Sequence, residues 1–86
     1  METLDALSAL LEAEADNLEY LYQRCVRLVI AEDYEAALTD GLTILQRDRE
    51  FRDDIGRLTM IRIFAVLGKG HPLAGQYRRK MFNFLH

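Results

Sequence analysis

The chain has no tryptophan, one proline and one cysteine among its 86 residues. It also has no uncharged apolar run long enough to cross a bilayer. A lone cysteine, Cys25, cannot close an internal disulfide, so no disulfide framework holds the fold. One cysteine and two distant histidines, His71 and His86, do not make a metal-ligand set. The single proline and five glycines exclude the compositions of flexible linkers. With no signal-peptide pattern at its start, the chain reads as soluble and cytoplasmic.

What is present is a half-apolar composition, enough for one modest core in a single domain spanning residues 1–86. The net charge of -3 hides an asymmetry. Residues 1–40 hold ten acids against Arg24 and Arg27, a net of -8. Residues 41–86 hold four acids and nine bases, a net of +5. Either the two halves attract each other within one fold, or each meets a different partner surface.

Apolar periodicity predicts five helices. The first spans about Leu4–Glu14, with Leu4, Leu7, Leu10 and Leu11 on one stripe. Asp16, followed by Glu19, forms a capping box that opens a second helix reaching about Ala31. Its buried face carries Leu18, Leu21, Tyr22, Cys25, Leu28 and Val29. A tight turn at Glu32-Asp33 leads to a third helix, about Tyr34–Asp48, capped by Asp33. Gly41 lies in its middle, where glycine costs roughly 1 kcal/mol against alanine, so a close helix crossing is expected there. A charged connector follows, with Phe51 as its apolar anchor. Asp53 or Asp54 starts the fourth helix, which ends at Leu67 and is expected to be the most buried. Gly68-Lys69-Gly70 ends it, and His71-Pro72 restarts the chain ahead of a fifth helix, about Leu73–Leu85. The expected core includes Leu21, Cys25, Leu38, Gly41, Ile44, Leu45, Leu58 and Ile61.

The stripe of the first helix repeats in the third. Leu4, Leu7, Leu10, Leu11 and Glu14 fall 34 positions before Leu38, Gly41, Ile44, Leu45 and Asp48. That offset is the tetratricopeptide spacing, and predicts an all-α fold of about five antiparallel helices in tetratricopeptide-like hairpins. The first helix takes the second position of a repeat whose first helix is missing. Leu4, Leu7 and Leu11 are therefore expected to need cover from a second copy or a folded-back terminus, and the chain reads as a fragment of something longer.

The second half is similar to one family in particular. Arg47, Asp48 and Arg49 form an Arg-Asp-Arg connector, followed by Phe51, Asp53, Asp54 and Arg57. Then come Phe64, Leu67 and Gly68, the His-Pro-Leu of His71, Pro72 and Leu73, and the Tyr-Arg-Arg of Tyr77, Arg78 and Arg79. From about Tyr34 to Leu85 this ordered set resembles the C-terminal region of chaperedoxins. Those are bacterial proteins in which a thioredoxin-like domain precedes tetratricopeptide-like repeats. The resemblance implies a stress co-chaperone segment that binds unfolded clients, a chaperonin and its own thioredoxin-like domain. The thioredoxin-like domain and its redox motif are absent here, so nothing about thiol exchange carries over to Cys25.

No residue pattern points to catalysis, and no cofactor is implied. Cys25 on an apolar face reads as a small core residue. His71 before proline reads as a turn or cap residue. Asp53 and Asp54 suit the positive end of a helix. The basic and aromatic QYRRKMF run is too thin a footprint for nucleic acid in an acidic chain. Arg78, Arg79, Lys80 and Phe82 at the free end of the array read either as a partner-docking tip or as a solvated face with Phe82 packed on a second copy or flat on its own helix, with Met81, Phe84 and Leu85 turned inward. Two further readings stand beside the co-chaperone segment. One is a homodimerisation module or free-standing adaptor. The other is a regulatory segment of a redox enzyme whose catalytic domain is absent.

Overall fold

A computed structural model describes residues 2–85. Five helices follow one another: α1 (Leu4–Ala13), α2 (Leu18–Ile30), α3 (Tyr34–Arg47), α4 (Ile55–Leu67) and α5 (Pro72–Leu85). Each packs on the next, and α3 also meets α5. The all-α fold expected from the periodicity is the fold observed.

Helix starts follow local side-chain chemistry. Thr3, Asn17 and Asp33 each accept a hydrogen bond from a first-turn N–H, at Ala6, Tyr20 and Ala36 respectively. Each such cap is worth about 1 kcal/mol. The expected cap at Asp16 is displaced by one residue to Asn17, and the Asp16 carboxylate pairs instead with Arg47. His71 caps α5, its Nδ1 accepting from the Leu73 N–H at 3.1 Å. Asp54 does precede α4, but in a left-handed conformation (φ 69°) and with no cap bond. Its carboxylate accepts from Arg57 Nε at 2.7 Å.

Two turns use left-handed backbone without glycine. Glu32 (φ 61°) closes α2. The Glu32 N–H donates to Val29 O and the Asp33 N–H to Leu28 O, which satisfies two terminal carbonyls. Arg52, Asp53 and Asp54 are left-handed in succession. Arg52 is tied down by a two-bonded pair with Glu19 at 3.1 and 3.2 Å. Phe51 packs on the Leu11, Leu21 and Ile44 cluster, as expected of the connector's anchor.

The main core joins α2 to α5 through Cys25, Leu38, Leu45, Met60, Phe64 and Tyr77. Helix α3, not α4, is the most buried element: Ala37, Leu38, Asp40, Gly41, Ile44 and Leu45 are all enclosed. It lies between α2, α4 and α5, whereas α4 has one face with no neighbour. Ile61 is accordingly 40% exposed and Leu58 only half-buried, against the expectation that both lie in the core.

The crossing of α3 on α4 is a meeting of two glycines. A Cβ at Gly41 would lie 3.0 Å from Met60 Cγ. One at Gly56 would lie 3.1 Å from Leu45 N and 3.2 Å from Gly41 O. The close packing expected at Gly41 is present, and Gly56 is its unforeseen counterpart.

Candidate protein-binding surfaces

Leu4, Leu7 and Leu11 do not form an uncovered stripe. Leu7 is 0% exposed and Leu11 is buried, while Leu4 packs half-buried against the main core. Helix α1 lies on α2, and Leu11 joins Leu21 and Ile44. The chain itself supplies the cover that a second copy or a folded-back terminus was expected to give. Leu7 and Leu11 are thus removed from any docking surface of the folded chain.

The C-terminal tip is different. Arg78, Arg79 and Lys80 are exposed, and Phe82 is 58% exposed. Residues three and four apart share a helix face, so Arg78 and Arg79 flank Phe82. The Arg78 guanidinium stacks 5.0 Å from the Phe64 ring centre, and the Lys80 ammonium lies 4.6 Å from that of Tyr77. These cation–π contacts hold two of the three cations against the helical body. Met81 is buried and Leu85 half-buried, as expected for the inward face. Phe84 is not inward but 40% exposed, next to the charged connector residues Arg49 and Asp53 around an open concavity.

The concave face lined by the second and fourth helices, the alternative docking surface to the C-terminal tip, carries an apolar groove. Tyr22, Val26, Val29, Ile30, Thr59, Arg62, Ile63 and Val66 line a cavity of about 210 Å³. Ile30 and Val66 are 68% and 62% exposed, high values for side chains of this kind. The signal was in the sequence. The run from Met60 to Leu67 is apolar on too many sides for one buried face, and α2 continues its stripe into Val26 and Ile30.

On the other side, α1, α2, α3 and Tyr77 of α5 border a channel. Arg24 donates to both oxygens of Asp40 at 2.8 Å, and Asp40 is almost fully enclosed. The Arg24 guanidinium is held above its usual pKa mainly by this hydrogen bonding to Asp40, against the opposing effect of burial. Thr39 Oγ1 and Tyr77 Oη share a hydrogen bond of 2.7 Å. Among the described residues no buried side-chain polar atom lacks a partner, so these groups hold helices together.

Cys25 lies where α2 crosses α3, its thiol donating to Ala37 O at 3.2 Å. Burial pushes the thiol up to about 12, so it carries no thiolate near neutral pH. Among the described residues no cluster of ligating side chains could hold a metal ion, and no helix is long and apolar enough to cross a membrane.

No curated protein and no solved structure matches the chain. A tetratricopeptide repeat family profile matches residues 1–86. Stacked helical pairs and small residues at the crossings agree with that match, and the chain belongs to the tetratricopeptide repeat family.

Proposed function

We propose that this protein-binding module is the segment of a bacterial, cytoplasmic, thioredoxin-like stress co-chaperone that holds unfolded clients and docks a chaperonin. The observation that carries the reading is the α2–α4 groove. Ile30 and Val66 stand 68% and 62% exposed along it, beside the apolar Val26, Val29 and Ile63. Contiguous exposed apolar surface is the feature by which a soluble domain captures apolar segments of another chain. The resemblance of Tyr34 to Leu85 to chaperedoxins supports the same role. The same resemblance implies a chaperonin as the partner for Arg78, Arg79, Lys80 and Phe82.

The homodimer reading loses its original support, because Leu7 and Leu11 are covered within one chain. Its electrostatic support also weakens. Arg47–Asp16 and Arg52–Glu19 pair the basic and acidic halves within one molecule.

The test is suppression of aggregation. A chemically unfolded client is diluted into buffer with and without the domain, and light scattering is followed. Suppression by the native domain, and its loss in Val66→Asp with helicity retained, supports the reading. No suppression at several-fold molar excess removes the client-holding role.

A further inference from the structure

The α2–α4 groove has a chemistry that narrows what it takes. Val26, Val29 and Ile30 of α2 face Ile63 and Val66 of α4. Arg62 lines the same groove, is exposed, and makes no ion pair among the described residues. No acid lines the groove. At its Tyr22 end the Arg52 guanidinium lies 5.3 Å from the ring centre, but Glu19 neutralises it. The uncompensated charge at the groove is thus Arg62. The channel beside α1 is opposite in sign: Asp5, Asp33 and Glu35 line it, and its one cation, Arg24, is paired with Asp40.

We propose that the α2–α4 groove selects amphipathic protein segments that combine aliphatic side chains with carboxylates, and that Arg62 is the residue that makes the selection. The inference rests on the groove being the client-binding surface. The apolar walls take aliphatic side chains and displace water. A guanidinium beside them offers a planar donor fork that fits a carboxylate in two-bonded geometry. Partial exclusion of water strengthens that pair relative to one on an open surface. A segment of the same shape bearing lysines places like charge against Arg62 and is rejected. Aliphatic contacts alone give affinity without this choice.

The experiment uses two fluorescent peptides with one shared pattern of leucines and valines. One has glutamates at the intervening positions and the other lysines. Fluorescence anisotropy at low salt is expected to show the glutamate peptide binding about fivefold more tightly. Arg62→Gln is expected to reduce the preference to less than about twofold, and Arg62→Glu to invert it. Circular dichroism should show unchanged helicity in both, since Arg62 is exposed. Val66→Asp should abolish binding of both peptides. Equal affinities in the native protein overturn the proposal, as does a preference that survives Arg62→Gln. Undiminished binding to Val66→Asp places the site elsewhere and overturns it too. If neither peptide binds while aggregation suppression persists, the selection is wrong and the holding role stands. If suppression is also absent, the holding role itself falls.

Discussion

Single atoms decide much of this structure. At the α3–α4 crossing, the two glycines have different obstacles. A methyl at Gly41 meets Met60 Cγ, the middle of a flexible side chain that can shift. A methyl at Gly56 meets the backbone of Leu45 and Gly41, which cannot shift without moving α3. Gly41→Ala should therefore be nearly neutral, because the helix-propensity gain of about 1 kcal/mol offsets the displacement of Met60. Gly56→Ala should destabilise by about 1–3 kcal/mol, and Gly41→Leu by a similar amount through overpacking. Urea unfolding of the three variants checks the order. Equal effects from the two alanine variants would show that the crossing is looser than drawn. Gly41 was legible as a close approach because glycine is costly in mid-helix. Gly56 was not, since near a helix start the same residue reads as a terminus. Cys25 gives a second residue-scale prediction. Its folded pKa of about 12 lies above the ordinary 9.0. The native state thus keeps a proton that the unfolded state releases. That contribution to stability is whole below about pH 9 and falls as pH rises toward about 12. Cys25→Ala removes this loss, so its stability relative to the native protein should improve steadily above pH 9 in a denaturant series. A difference that stays flat across that range would mean that the thiol is not held protonated.

Whole helices were legible to within a residue or two, because each has an apolar stripe and a local start or stop signal. Asp33 and His71 cap as their positions suggested. The exceptions have physical causes. Arg52, Asp53 and Asp54 are left-handed without any glycine to announce it, and the distant Glu19, the Tyr22 ring, Arg57 and the packing of Phe51 help to hold them so. Helix α4 was misjudged because a nearly continuous apolar run states only that apolar side chains are present, not which of them find neighbours. In α1 the error went the other way. The stripe looked unpartnered from the missing repeat half, yet α1 lies on α2, Leu11 joins Leu21 and Ile44, and Leu4 packs on the main core. Leu7→Glu tests this at the level of the element. Burying a carboxylate at a site with 0% exposure should cost about 3 kcal/mol or more. The loss should appear as lower resistance to urea, in a native protein whose mass by light scattering is that of one chain. A dimeric native protein that becomes a stable monomer on Leu7→Glu would instead restore the interface reading.

At the scale of the molecule, the surfaces separate by chemistry. Residues of α2 and α4 build the apolar groove, and no residue of α5 lines it. Helix α5 carries the exposed Arg78, Arg79 and Lys80 together with Phe82. The charge imbalance between the two halves was legible, but not its partition. Among the described residues two cross-half ion pairs join the halves, and much of the remaining charge is left at the surface. If clients and a chaperonin use different surfaces, each should be removable alone. Val66→Asp should abolish client holding while leaving chaperonin capture intact. Arg79→Ala combined with Phe82→Ala should do the reverse, weakening capture by roughly 2 kcal/mol or more, since arginine and aromatic residues dominate hot spots. Both variants should keep the native helicity and melting temperature, because their side chains are mostly exposed. Combining them should give the sum of the two losses, as expected of sites that share no partners. Aggregation suppression and chaperonin pull-down, run on all three, measure this directly. Loss of both activities in either variant would mean one continuous surface. Unfolding of the α5 variant would assign Arg79 and Phe82 to the scaffold and leave the groove as the domain's binding face.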